Sequence, residues 1–310
     1  MLKKILIIIK LIIIVLIVLF VINFLLNKNI FSIQYKIQSE KLPKEFNDYK
    51  IVQITDVHSI RNEIQIDKII SKVRKQNPNF ICVTGDLIDA EYYSQQNDLY
   101  LNNEIEKIEK FTVDFMEELV NICDTYYIYG NHEMMLLDDP ENNLFKKNLE
   151  NIGVKILNNS IDILEIDNKK INIVGVQDPA TLYKDKKYAY YGNSNKDKVE
   201  KILNDLFLEI SEENKNNFTI LLSHRPEYFE LYDKYNIDLA LTGHTHGGII
   251  KLPIINGIYA HPQGWFPKYS YGKYETKDFT MIINGGIGYS KLPIRIFNPP
   301  EINSIILNSK

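Results

Sequence analysis

Sulfur is the first thing this chain lacks. Its 310 residues include two cysteines, Cys82 and Cys123. With only two, neither a disulfide framework nor a thiolate metal site can be argued. Each adjoins an apolar stretch that reads as a strand, Phe80-Ile-Cys-Val and Ile122-Cys123, so both are expected to be buried free thiols. An excess of positive charge is missing too. The formal net charge is −4, whereas a nucleic-acid backbone binder needs a basic field, so no nucleic-acid partner is expected. Internal repeats are absent. Charged residues at 25% and hydrophobic residues at 45% exclude a disordered or collagen-like chain. The length fits one large domain or two small ones. Alanine is scarce beside Ile, Asn and Lys, which reads as genome base bias and not as function.

Long apolar runs are absent with one exception. Ile5 to Leu26 contains only two polar residues, Lys10 and Asn23. At about 1.5 Å rise per residue the run reaches about 33 Å, enough to cross a hydrocarbon core of about 30 Å. Lys3, Lys4 and the amino terminus precede it, which favours a cytoplasmic N-terminus and the remainder outside. A cleaved signal peptide has a shorter apolar core and ends in small residues. Here the run continues into Phe24-Leu-Leu-Asn-Lys-Asn-Ile-Phe, with no following cysteine to carry a lipid. An uncleaved signal anchor is therefore expected, with Lys10 snorkelling to the cytoplasmic interface.

Beyond it, Phe31, Ile33, Tyr35 and Ile37 alternate with polar residues, the period of a half-buried strand. Strands are expected at 51–55, 80–84, 126–129, 171–176, 218–223 and 238–242. Helices are expected at 64–76, 101–120 and around 197–209, and the last sixty residues read as strands and turns. Such alternation followed by β-rich sequence predicts a layered α/β domain with mixed sheets. The polar stretches 92–103 and 181–198 either border a cleft or are plain surface insertions.

The histidines carry the information. Five of six fall in four short segments, each directly after an apolar strand: Asp56-Val-His58, Asn131-His132-Glu133, Ser223-His224 and Gly243-His244-Thr-His246-Gly-Gly. Gly85-Asp86 follows a further strand. Ligands of open α/β sheets bind at the carboxyl ends of strands. Residues two apart in an extended segment point the same way, so Asp56 and His58 can reach one ion, as can His244 and His246. Gly85, Gly130 and Gly243 allow close approach or unusual angles beside these residues. Oxygen and imidazole donors without sulfur suit Mn, Fe or Zn. Asp-x-His and Gly-Asp are weak signals alone, and a lone His224 is by default a core histidine. Gly-His-x-His-Gly is strong, and the conjunction of all five carries the reading.

These motifs resemble those of the calcineurin-like metallophosphoesterase superfamily, matched here by Asp56/His58, Gly85-Asp86, Gly130-Asn131-His132-Glu133, His224 and Gly243-His244-Thr-His246. Ser223-His-Arg-Pro-Glu, Leu252-Pro, Tyr259 to Tyr274, Leu292-Pro-Ile-Arg and the N-terminal segment are similar to its bacterial membrane-associated YkuE/YaeI-type branch. Two positions depart from that branch: Ile249 where Gln is usual, and Gly175-Val-Gln-Asp178 where Gly-x-Asp-Asp is common.

The resemblance implies a four-layer α/β/β/α sandwich with two mixed sheets, preceded by one transmembrane helix. The division is a stub and anchor (1–27), an edge strand and linker (28–46) and the metallophosphoesterase domain (47–310). Asp56, His58, Asp86 and His246 would hold one divalent ion. Asp86, Asn131, His224 and His244 would hold the other, with Asp86 bridging. His132 would bind no metal and would stabilise or protonate the leaving oxygen. The implied reaction is phosphodiester hydrolysis by a metal-bridging hydroxide, and the anchor, by its proximity to the bilayer, points to a lipid-linked or cell-wall substrate. The alternatives are a phosphomonoesterase or pyrophosphohydrolase with the same centre, and a binding protein that lost catalysis. Glu133 is expected to orient His132. Asp89 either does similar work or lies on the surface, and Arg225 either meets a phosphate or packs with Glu227. Trp265 and Phe266 touch substrate or membrane, or close the core. His261 receives no role.

Overall fold

The computed structural model describes residues 2–58, 66–89, 110–137, 143–180, 196–251, 257–261, 263–289 and 294–310. Two six-stranded sheets form its centre. The first has the order β1 (Phe31–Ser39), β14 (Glu301–Ser309), β2 (Tyr49–Ile54), β3 (Phe80–Thr84), β4 (Asp124–Ile128) and β5 (Lys155–Ile156). The second runs β12 (Gly272–Glu275), β13 (Thr280–Ile283), β9 (Leu239–Thr242), β8 (Thr219–Ser223), β7 (Lys169–Val176) and β6 (Ser160–Ile166). Both are mixed. β14 is antiparallel to β2 within an otherwise parallel sheet, and the hairpins β12–β13 and β6–β7 flank the parallel strands of the other.

Three apolar layers follow from the strand sequences. Ile51, Phe80, Cys82 and Tyr126 of one sheet meet Ile173, Ile220, Leu222 and Leu241 of the other between the sheets. The outer face of the first sheet (Val52, Ile81, Val83, Tyr127) is covered by the helix Ile66–Arg74, a helix over 110–120 and the helix Leu144–Asn151. The outer face of the second carries the helix Lys196–Glu209, whose Val199, Leu203 and Leu206 recur at helical spacing. That is the expected α/β/β/α layering. Strand β8, Thr-Ile-Leu-Leu-Ser, is buried at every position because parallel neighbours and two cores enclose it.

Some expectations are revised. β6 has no counterpart in the predicted strands. It is joined to β7 by Asp167-Asn168, both at positive φ, the geometry of a two-residue hairpin turn. The stretch 92–103 lies outside the described residues, as does 181–195, and 196–198 form the first turn of a helix and not a loop. Cys82 is buried, but Cys123 is only half-buried.

The N-terminal helix, Leu2–Asn27, is long and apolar enough to cross a membrane by length and composition. Its last turns touch the body: Asn23 and Asn27 donate to the Arg295 carbonyl at 3.0 and 2.8 Å, and Asn23 accepts from the Phe297 amide at 2.7 Å. β1 then joins the sheet edge beside β14.

Candidate metal centre

The carboxyl ends of five parallel strands converge across the two sheets. Gln53 of β2 ties them together: its amide donates to Thr84 Oγ1 of β3 at 3.0 Å and to the Thr242 carbonyl of β9 at 2.9 Å. Just beyond these ends lie Asp56 after β2, Asp86 after β3, Asn131 after β4, His224 after β8 and His244 and His246 after β9. The structure therefore brings together all eight residues singled out above, including His58 and His132, and all are at most 9% exposed.

Their convergence does not come from extended chain, as alternate spacing would have it. Asp56, His58, Asp86, His244 and His246 all adopt positive φ, between 47° and 69°. Left-handed backbone at five non-glycine residues costs about 1–3 kcal/mol each and persists only where surroundings impose it. Here the surroundings are backbone bonds, Asp56 N to Gly85 O at 3.0 Å and His58 N to Asp86 O at 3.1 Å. Gly130 earns its place by close approach: a Cβ there would sit 2.2 Å from Asp86 Oδ1.

Each aspartate commits one oxygen to the backbone. Asp86 Oδ1 accepts from His132 N at 2.9 Å, and Asp56 Oδ2 accepts from Thr55 Oγ1 and His244 N at 2.9 Å each. The remaining oxygens face imidazoles. Asp56 Oδ1 lies 3.4 Å from His246 Nε2 and 3.9 Å from His58 Nε2. Asp86 Oδ2 lies 3.1 Å from His224 Nε2 and 3.8 Å from His58 Nε2, between the two groups. His224 Nδ1 donates to the Thr84 carbonyl at 2.7 Å, which turns Nε2 toward Asp86.

These atoms fit two divalent cations. Asp56 Oδ1 and Asn131 Oδ1 are buried without a hydrogen-bond partner. Such orphaned acceptors cost about 1–3 kcal/mol each. Imidazole nitrogens face each other at 3.1 Å (His58 and His246) and 3.2 Å (His224 and His244). Separations of this size suit donors that share an ion at about 2.1 Å. Burial pushes His58 down to about 3 and holds His244 and His246 well below the ordinary value, so these rings stay neutral as ligands must. Burial, reinforced by Asp86, raises Asp56 to about 6. At His224 burial is outweighed by Asp86 and Asp56, which lift it to about 10. The two carboxylates draw in whatever positive charge is near.

The environment of His132 differs from expectation. Glu133 does not orient it. Its carboxylate accepts from the amides of Asp86 at 2.9 Å, Gly130 at 2.8 Å and Ile88 at 3.1 Å, and so fixes the loop that carries Asp86. Asp89 is the residue beside the ring. It is fully buried, with Oδ1 3.4 Å from His132 Nδ1. Arg225 packs with carboxylates: Nε and Nη2 bond Asp178 at 2.5 and 3.2 Å, and Nη1 bonds Glu227 at 3.1 Å. Asp178, which follows the departing Gln177, is thus the main partner of Arg225. His261 lies with its ring centroid 6.5 Å from that of His244. Trp265 and Phe266 close no core, being 71% and 67% exposed.

Arg295 was not singled out from the sequence as a site residue. Its guanidinium donates to the carbonyls of Gly285 at 2.9 Å, Gly288 at 2.8 Å and Asn298 at 3.3 Å. Gly288 N in turn donates to Asp56 O at 2.7 Å, so Arg295 supports the backbone of a ligand-bearing turn.

A profile of the family described as Calcineurin-like phosphoesterase matches residues 49–248. An uncharacterized metallophosphoesterase of Campylobacter jejuni is 32% identical over 289 residues, 92% of this chain and 65% of that protein. This chain thus spans just under two thirds of that relative's length. The uncharacterized metallophosphoesterase YkuE of Bacillus subtilis is 28% identical over 90% of this chain and 86% of its own. A zebrafish (Danio rerio) protein described as a transmembrane protein with metallophosphoesterase domain is 25% identical over 89% of this chain and 56% of its own.

Proposed function

The chain belongs to the calcineurin-like phosphoesterase family and is a phosphoester hydrolase, and from that premise we propose that it is a two-metal phosphodiesterase held at a membrane by its N-terminal helix. The observation that carries the two-metal reading is the position of Asp86 Oδ2, 3.1 Å from His224 Nε2 and 3.8 Å from His58 Nε2. One oxygen so placed can serve both groups of donors.

Asp56, His58, Asp86 and His246 hold the first ion, and Asp86, Asn131, His224 and His244 the second. Mn, Fe and Zn all suit such donors. When bound, the ions supply charge neutralisation for the phosphoryl oxygens and a hydrolytic nucleophile at neutral pH. Neutral Asn131 keeps the carboxylates at two, so the loaded centre is positive and attracts an anionic ester. In this reading His132 binds no ion, although its ring stands with His58 and Asp89 close enough to share one. Its Nε2 is 3.9 Å from Asp86 Oδ2, at the rim of the ligand cluster, where it can donate to the departing alkoxide oxygen. Asp89 on the Nδ1 side keeps that ring turned inward.

Among the described residues, the guanidiniums beside the site favour a diester. Arg225 is committed to Asp178 and Glu227, and Arg295 to backbone carbonyls. A dianionic monoester would gain from a free guanidinium clamp; a monoanionic diester does not need one. The N-terminal helix makes a lipid-linked or cell-wall phosphoester the substrate reading. In this reading the amino terminus is cytoplasmic and the domain lies outside. The test uses the full chain in detergent, stripped and reloaded with Mn, on a chromogenic diester and the matching monoester, with His246→Ala as control. Metal-dependent diester cleavage lost in the control supports the proposal. Preferential monoester or pyrophosphate cleavage replaces it with that alternative.

A further inference from the structure

The anchor, the metal-ligand turn and an exposed aromatic hairpin form one hydrogen-bonded ladder. Asn23 and Asn27, at the end of the N-terminal helix, bond the backbone of Arg295 and Phe297. Ile296 between them exchanges backbone bonds with the next segment: its amide donates to Ile249 O at 3.2 Å and its carbonyl accepts from Lys251 N at 3.0 Å. That segment directly continues the turn bearing His246. Ile258 N then donates to Ile250 O at 3.0 Å, and Phe266 N to Ile258 O at 2.7 Å. The last two segments are the hairpin of β10 (Tyr259–Ala260) and β11 (Gly264–Trp265). Three interstrand steps of about 4.8 Å place its far strand, which carries Trp265, about 14 Å from the segment on which the anchor docks.

What the hairpin presents is apolar. Trp265 is 71% exposed and Phe266 67%, and Ile294, next to the anchor's docking point, is 48% exposed. Phe266 also holds a positive φ of 53°, an unfavourable conformation for an aromatic residue. A soluble surface gains nothing from two exposed aromatics, one of them strained. Beside the end of a membrane-spanning helix the same residues suit the bilayer interface, where Trp and other aromatics concentrate. The hairpin also carries His261, whose ring lies 6.5 Å from that of His244.

We propose that the Trp265–Phe266 hairpin inserts into the outer interface of the bilayer in which the helix is anchored, and so holds the metal centre against the headgroups. The substrate class is then an amphiphilic phosphoester that stays in the bilayer while its phosphate is cleaved. This rests on the reading of the N-terminal helix as a span.

Trp265 is the single tryptophan of the chain, so intrinsic emission reports on it alone. The full chain is reconstituted in phosphatidylcholine vesicles with and without lipid brominated near the headgroup end of its acyl chains. The expected result is quenching by the brominated lipid and protection from aqueous acrylamide. Emission quenched by acrylamide and not by the lipid, in protein that floats with the vesicles, overturns the hairpin proposal while leaving the span intact. Protein that fails to float with vesicles overturns both. Quenching needs no turnover, so a failure of the diesterase reading is seen separately, on the soluble ester. In a second measurement, Trp265→Ser/Phe266→Ser is expected to lower cleavage of a vesicle-embedded phosphodiester about tenfold while hydrolysis of a water-soluble diester stays within about twofold. Equal loss on both esters, or on neither, argues against interfacial docking.

Discussion

The carboxylate of Asp89 sits 3.4 Å from Nδ1 of His132, while Nε2 of the same ring is 3.9 Å from Asp86 Oδ2. The imidazole thus lies between a buried carboxylate and the cluster of candidate metal ligands. Asp89→Asn is expected to lower kcat about 10–100-fold with metal content unchanged, the usual effect of removing such a support. His132→Ala should cost about 10²–10⁴-fold, also with both ions retained. The double variant should be no slower than His132→Ala alone. Kinetics with elemental analysis of the same samples checks all three, and additive losses would mean that Asp89 acts independently of His132.

Asp86 and His246 should part company in metal stoichiometry. Asp86→Ala removes the oxygen that faces both groups of donors, so both ions should be depleted. His246→Ala should deplete one. Elemental analysis after dialysis against a fixed free Mn concentration reads this directly. Equal depletion in the two variants would contradict the shared role of Asp86.

Gly130→Ala places a methyl group 2.2 Å from Asp86 Oδ1 and 2.6 Å from Asp86 N. Backbone and carboxylate are both rigid here, since Glu133 holds the same loop. The variant should lose about 1–3 kcal/mol of stability and most of its metal, with far-UV circular dichroism unchanged. Normal metal content would show that the loop yields more than these contacts allow.

Chelation should destabilise the intact chain. Ions that bind the folded state alone contribute about 2.7 kcal/mol at one hundred times Kd, and about 1 kcal/mol moves Tm by about 2–4 °C in a protein near this size. EDTA is therefore expected to lower Tm by several degrees and Mn to restore it, as read by scanning calorimetry. His246→Ala should show a smaller shift.

Lys251 supplies a pH signature from outside the candidate ligand set. Burial, with Arg295 nearby, outweighs the pull of Glu301 at 3.8 Å and lowers the ammonium from 10.5 to about 7; its Nζ also lies over the Tyr271 ring. Between about pH 7 and 10.5 the unfolded chain binds the extra proton, so this group makes stability rise with pH across that window. Relative to Lys251→Met, the wild-type protein should gain stability from pH 7 to pH 9.5 in urea titrations. A difference that is flat or falls with pH would place the lysine charged in the folded state.

Much of the site was legible because each ligand follows a short apolar strand, and strands β2, β3, β8 and β9 lie where their apolar runs place them. The layers were legible for the same reason: Val199, Leu203 and Leu206 announce one helix face, and the buried run Thr-Ile-Leu-Leu-Ser a central strand. The backbone geometry was not. Positive φ at five candidate ligands was not legible, because Asp and His tolerate that conformation better than most residues but do not demand it. Glu133 was placed beside His132, where Asp89 lies, for a related reason. Sequence adjacency made Glu133 the natural neighbour of His132, yet the short helix Asn131–Leu136 turns it back on the amides of Asp86 and Ile88. β6 was missed although Asp167-Asn168 marked its turn, because its alternating Ser-Ile-Asp-Ile pattern is half-exposed throughout.

Strand β1 pairs in parallel with β14, Phe31 beside Glu301 and Ser39 beside Ser309, so the first strand after the N-terminal helix is completed only by the last strand of the chain. During synthesis the emerging domain must keep that edge open until residues 301–309 arrive, and closing so long a loop is slow. Loss of β14 would leave β1 and β2 as unpaired edges, the kind of template on which neighbouring chains aggregate. Truncation before Glu301 would then be a folding defect as severe as one in the middle of the domain.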